Sequence, residues 1–215
     1  MDDIQQEKTG VKHDEFNVVE FSVKLDFKTI KHIIHPEFLT NEDAVRQYYG
    51  IWKIIAMFMK SFKAKKVLEF GTREGYSTQL FSHLLRFEEG HLWTVDLAEP
   101  KIEPAIKEKL DNVTFIQMDI LNLDTIWKEY VDILYIDDWH NPYHLYQELD
   151  RYARFARLIM IHDVVQNWQT HEWLLPAIFS WCLKENLPFY TYPLNCCGLV
   201  VIPREEFQNF YEYES

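Results

Sequence analysis

Lys66-Val67-Leu68-Glu69-Phe70-Gly71-Thr72-Arg73-Glu74-Gly75-Tyr76-Ser77 is the stretch whose reading decides the fold. A lysine pair runs into a short apolar segment, then a glycine turn, then a helical pattern through Leu80, Leu84 and Leu85. That order predicts a buried strand, a tight turn and a helix whose N-terminus points back over the strand end. Gly71 and Gly75 permit close backbone approach or positive φ, and a helix start offers N–H groups to an anion. Such a turn suits a nucleotide or nucleoside.

Working outward, Thr40-Asn41-Glu42-Asp43 supplies an N-cap with acids in the first turn. The apolar period that follows, from Val45 to about Phe62, predicts a packing helix before the first strand. Beyond the turn the helix is expected to reach about Phe87 and stop at Gly90. Further strands are predicted at Leu92–Asp96, Val113–Asp119, Val131–Asp137 and Leu158–Ile161. Between them lie predicted helices at Pro104–Leu110, Leu123–Tyr130 and about Tyr143–Phe155. A long helix over about Thr170–Asn186 leads to two last strands, near Phe189–Tyr192 and Gly198–Ile202. Their short link suits an antiparallel hairpin. The sum is an α/β, doubly wound, mostly parallel sheet of seven strands with a C-terminal antiparallel hairpin. Residues 1–40 read as an N-terminal arm, with a candidate edge strand at Phe16–Phe27, and residues 41–215 as one domain.

Bulk properties limit the function. The 215 residues carry a net charge of −12, which argues against a large nucleic-acid surface because phosphate binding needs a basic footprint. No run reaches the roughly 18 apolar residues of a membrane span, and Met1–Lys8 is polar, unlike a secretory signal. Cys182, Cys196 and Cys197 are an odd set with an adjacent pair and no CxxC spacing. A reducing cytoplasm, without a membrane partner, is the expected location.

Consecutive predicted strands end in Glu69/Gly71, Asp96, Asp119, Asp137 and His162-Asp163. Acids after strands are common singly; five in register on one rim predict a site. A dinucleotide fold wants G-x-G-x-x-G. Here the spacing is Glu69-x-Gly71-x-x-x-Gly75, which lacks the glycine that lets the backbone approach a pyrophosphate. Asp96 suits a ribose diol in either cofactor class.

Val67 to Ser77 resembles the first motif of the class I S-adenosylmethionine-dependent methyltransferases, and its Gly-Tyr-Ser ending is similar to that of the catechol-type O-methyltransferases. The resemblance continues at Trp93–Asp96, at Asp132–His140 and at Ile159–Asp163. The Ile-Asp-x-x-His pattern followed by His-Asp also resembles the cephalosporin hydroxylase-like and rhamnosyl O-methyltransferases. The resemblance implies S-adenosylmethionine as cofactor. By motif, Glu69 and the Gly71–Gly75 turn would hold the methionine amino end, Ser77 the carboxylate, and Asp96 the ribose. Asp119 would face the adenine amine and Trp139 would stack on the ring. Asp137 also counts among the cofactor-binding candidates and, with His140 and His162, among the catalytic ones.

Methyl transfer needs the acceptor oxygen aligned with the methyl group and a proton removed. His140, whose ordinary pKa lies near the working pH, is the candidate base, in roughly the place of the catechol-type lysine. The metal set of that family corresponds here to Asp137, His162 and Asp163. Two carboxylates suit Mg²⁺, and an added imidazole shifts the preference toward Mn²⁺, Fe²⁺ or Zn²⁺. Alternatively His162 and Asp163 are a base and its orienting acid. His144 and His171 read as surface or capping residues. The expected partner is a small-molecule acceptor, with Trp168, Trp173, Tyr190 and Tyr192 hinting at an aromatic or sugar ring. A homodimer contact through Phe16–Phe27 or Phe207–Tyr213 is a further expectation. Two rivals stand: a nucleobase N-methyltransferase, suggested by Asn141-Pro142-Tyr143, and a non-catalytic S-adenosylmethionine-binding protein.

Overall fold

The computed structural model describes residues 42–164, 174–192 and 198–204, with side chains from residue 50 onward. The expected arm, Phe16–Phe27, Trp168, His171, Trp173 and Phe207–Tyr213 lie outside the described residues. In chain order the elements are α1 (Glu42–Ser61), β1 (Lys66–Phe70), α2 (Tyr76–Arg86), β2 (His91–Asp96), α3 (Pro104–Lys107), β3 (Val113–Gln117), a 3₁₀ turn (Ile120–Thr125), β4 (Val131–Ile136), α4 (Pro142–Tyr152), β5 (Ala156–His162), α5 (Leu175–Glu185), β6 (Tyr190–Tyr192) and β7 (Leu199–Pro203).

The seven strands form one sheet in the order β3-β2-β1-β4-β5-β7-β6. The first five pair in parallel, and β7 runs antiparallel between β5 and β6. The expected C-terminal antiparallel pair is therefore present, with β7 joining it to the parallel strands.

Strand residues alternate between two cores, as a period of two requires. Val67, Leu92, Ile133, Leu158 and Val201 face α1 and α2. Leu68, Val95, Leu134, Ile159 and Val200 face α4 and α5. Because both faces are covered, the central strands are apolar without interruption, which is why they read as buried runs. Strand order reverses between β1 and β4, so the crevice at their C-terminal ends is where this topology places a ligand.

Three expected elements differ. Leu123–Tyr130 is not an α-helix: a 3₁₀ turn covers Ile120–Thr125, and the Trp127 indole N–H donates to the Glu129 carbonyl as the chain turns toward β4. The third strand stops at Gln117, and Asp119 instead caps the 3₁₀ turn by accepting from Leu121 N at 2.9 Å. The helix expected over Pro104–Leu110 is the single turn of α3. Among the described residues, no helix is long and apolar enough to cross a membrane.

Candidate active site

The glycine turn builds one wall of the site. Gly71 N donates to Val95 O and Asp137 N donates to Phe70 O, both at 2.9 Å, so the ladder carries on past β1 and seats Asp137 beside Gly71. Gly71 has φ +91, and a Cβ there would lie 2.3 Å from the Asp137 carbonyl oxygen. Gly75, at φ +73, begins α2, and no side chain caps that helix start. Asp96 closes the turn from behind: its Oδ2 accepts from Thr72 N and Arg73 N, each at 3.0 Å.

Glu69 sits beneath the turn with no solvent exposure. Its Oε2 accepts from the Thr78 hydroxyl at 2.6 Å, and its Oε1 has no partner. Burial pushes this carboxyl up to about 7, against the downward pull of the Ser77, Thr78 and Thr94 hydroxyls. An orphaned acid oxygen is costly inside a protein unless a donor arrives.

A cavity of about 410 Å³ opens here, walled by the Gly71–Ser77 turn, Trp52 of α1, Tyr135, Asp137 and His162. Its size falls in the range of small-molecule sites. Of the expected residues it brings together Gly71, Gly75, Ser77, Asp137 and His162, whereas Glu69, Asp96, Asp119, Trp139, His140 and Asp163 are not among its walls. Asp119 is exposed and engaged in capping, and Trp139 is 64% exposed, its ring 5.3 Å from that of His144.

At the cavity edge the ends of β4 and β5 meet. His162 Nδ1 lies 3.0 Å from Asp137 Oδ1, and the Tyr135 hydroxyl donates to Asp137 Oδ2 at 3.3 Å. His140 Nε2 lies 3.2 Å from Asp163 Oδ2 and 3.5 Å from Asp137 Oδ1. Burial alone would raise Asp137, but the charge on His162 and the contacts from both imidazoles hold it well below the usual carboxylate range. Burial lowers His140 and His162, yet the facing carboxylates win: His140 is raised to about 10, and His162 is raised by the Asp137 charge.

The expectation of a neutral His140 near the working pH is thus corrected. Between two carboxylates it holds its proton at neutral pH. The set that could grip a cation is also different, for the ligand atoms of Asp137, His140 and Asp163 lie within 4.8 Å of one another. His162, expected as a ligand, is buried at the end of β5 with Nδ1 3.0 Å from Asp137 Oδ1 and 3.5 Å from Asp163 Oδ1.

Several contributors escaped the sequence reading. Tyr135 stands two residues before Asp137 on the same strand face, a relation that a period of two reveals. Thr78, one position beyond the noted Ser77, is the hydroxyl with the short contact to Glu69. Ile51 and Trp52 wall the cavity from a helix expected only to pack. His144, expected at the surface, is instead ion-paired with Asp138 at 3.1 Å and lies 3.5 Å from Glu148. Asn141 Oδ1 accepts from Tyr143 N and His144 N, so Asn141-Pro142 is a helix cap followed by an N1 proline.

Residues 61–213 match the family of methyltransferase domains. No curated protein matches the chain in sequence. Among solved structures, a putative caffeoyl-CoA O-methyltransferase from Staphylococcus aureus superposes with a TM-score of 0.58 at 14% identity, covering 82% of this chain and 96% of that one. A putative rRNA methylase from Clostridium thermocellum gives 0.56 at 18% identity, covering 74% and 95%. The SAH-bound methyltransferase of Podospora anserina gives 0.51 at 16%, covering 72% and 78%. At these identities the likeness is one of fold, and the family follows from the match over most of the length. The orphaned acid at the strand end, the glycine that leaves no room for a Cβ and the uncapped helix start fit the cofactor of that family, and the chain belongs to the class I S-adenosylmethionine-dependent methyltransferases.

Proposed function

We propose that this methyltransferase acts on a hydroxyl of a small molecule, a phenol or a sugar. One observation carries the reading: Asp137 and His162 wall the same cavity as the glycine turn, so proton-handling groups stand within reach of the methionine end of the cofactor. Bound S-adenosylmethionine supplies an activated methyl group. The chain's own residues would hold and orient it: Glu69 Oε1 would accept from the amino group, Ser77 and the α2 start would meet the carboxylate, and Asp96 would take the ribose. Asp119, with the backbone beside it, faces the adenine amine, and Trp139 covers the ring.

With the cofactor supplying the methyl group, the Asp137–His140–Asp163 cluster would take the acceptor's hydroxyl proton. His140 serves as base only after its own proton has left. Alkaline pH achieves that. A divalent cation held by Asp137, His140 and Asp163 is the alternative to it: with Nε2 bound to the ion His140 would no longer be a base, and the proton would leave the ion-polarised acceptor to water. Mg²⁺ or Mn²⁺ there would lower the acceptor's pKa and orient it. Support for the cation is the convergence of the three donor atoms.

The acidic net charge and the capping role of Asn141 favour a small acceptor over a nucleobase. The test is methyl transfer from labelled S-adenosylmethionine to a panel of phenols, glycosides and rRNA, with EDTA or with added Mg²⁺ and Mn²⁺. Label in the phenol or sugar fraction supports the proposal. Label in RNA alone overturns it, and equal rates with EDTA and metal remove the cation.

A further inference from the structure

Behind the candidate site lies a second cluster that the cofactor reading leaves unused. β4 ends at Ile136, and the chain turns so that Asp137 meets the cavity while Asp138 faces α4. The Asn141 cap starts α4 at Pro142, which places His144 and Glu148 one turn apart on a single helix face. There His144 Nε2 lies 3.1 Å from Asp138 Oδ2 and 3.5 Å from Glu148 Oε1.

Glu148 is the unusual member. Its residue is 0% exposed, and neither carboxylate oxygen has a hydrogen-bond partner. Apart from the His144 imidazole 3.5 Å from Oε1, this buried acid has no donor to satisfy it, which leaves room for a ligand. The ligand atoms of all three residues fall within 4.8 Å of one another, and this trio shares no residue with the Asp137, His140 and Asp163 set.

We propose that Asp138, His144 and Glu148 bind a divalent first-row transition ion, with the His144 Nε2 and one oxygen from each carboxylate as ligands. Around an ion with bonds of about 2.0 to 2.2 Å, neighbouring ligand atoms stand roughly 3 to 3.5 Å apart, as the two observed nitrogen–oxygen separations do. One imidazole and two carboxylates form a donor set for Zn²⁺, Mn²⁺ or Fe²⁺, leaving further positions for water. The chain meanwhile holds a proton in that place: contacts with Asp138 and then Glu148 raise His144 to about 10, and burial lifts Glu148 well above its ordinary value. The ion displaces that proton and ties β4 to α4. The Trp139 ring, 5.3 Å from His144, is then braced as well. The site is a support for the segment carrying Asp137 and His140, separate from any cation at the reacting centre.

The test uses the full chain carrying His140→Ala and Asp163→Asn, which disables the other donor set, stripped with chelator and titrated with Zn²⁺ by calorimetry. One equivalent is expected to bind and to raise the melting temperature. Adding Glu148→Gln, which keeps the side chain's shape, or His144→Ala is expected to weaken binding by at least about 100-fold and abolish the rise. Absence of Zn²⁺ binding in the starting chain overturns the proposal. So does binding that neither further change alters. The melting readout on the starting chain needs no change in the trio, so a variant that fails to fold does not rescue the idea.

Discussion

The Thr78 hydroxyl donates to Glu69 Oε2 at 2.6 Å inside the protein and leaves Glu69 Oε1 unpaired. One oxygen is thus fixed in place and the other is kept for a ligand. Glu69→Gln removes the charge while keeping the volume. Cofactor affinity, measured by calorimetry, is expected to fall by roughly 2 to 4 kcal/mol, as when one partner of a buried charged pair is lost.

The same residue sets a pH dependence. Its carboxyl is raised from 4.5 to about 7, so between those values the folded chain keeps a proton that the unfolded chain has lost. Its contribution to stability is full below 4.5 and disappears as pH rises through about 7. At pH 8 the cofactor-free Glu69→Gln chain is therefore expected to be more stable than the parent by about 3 kcal/mol, read from denaturant unfolding. Cofactor binding needs the ionised form, so affinity climbs as pH rises through about 7 and levels off above it.

Gly71→Ala puts a Cβ into the Asp137 carbonyl, 2.3 Å away, at a φ of +91 that side chains resist. The expected cost is about 2 to 4 kcal/mol in thermal unfolding, with cofactor affinity lost in parallel because Asp137 must shift. A fully stable variant would show that the turn is looser than its geometry.

Much of this was legible because it is local. Gly71, Gly75 and Glu69 lie within seven residues of one another, and the acid at each strand end is a position in a run of apolar residues. The resemblance put Asp137 and His162 in one set, but their direct 3.0 Å contact was not legible, because it depends on β4 lying beside β5 in register, with Ile136 opposite Ile161. The protonated His140 escaped in part for the same reason: burial lowers its pKa, and the Asp137 carboxylate and then Asp163, which follows the next strand, raise it. The Leu123–Tyr130 helix failed because a helical apolar period does not reveal that the chain must extend again before Val131.

His140→Ala is expected to slow turnover at least about 100-fold on whichever hydroxylated acceptor proves active, with little change in cofactor affinity. With His140 as base, the chelated enzyme's rate climbs with pH toward about 10, whereas a cation that takes Nε2 replaces this rise by one set by the ion-bound acceptor. A flat profile in both conditions would remove His140 from proton transfer.

Tyr152 anchors the turn that carries Asp119. Its hydroxyl donates to the Ile120 carbonyl and accepts from Asp124 N at 2.9 Å. Tyr152→Phe orphans both groups and is expected to cost about 1 to 3 kcal/mol in denaturant unfolding, with a weaker loss of cofactor affinity.

The central claim is that the cavity beside Gly71 holds a sulfonium nucleoside. Calorimetric titration of the full chain with S-adenosylhomocysteine tests it most directly. The account predicts saturable binding of one molecule per chain, weakened by Glu69→Gln and by Gly71→Ala. No binding by the folded parent chain, or binding that neither substitution changes, would contradict it.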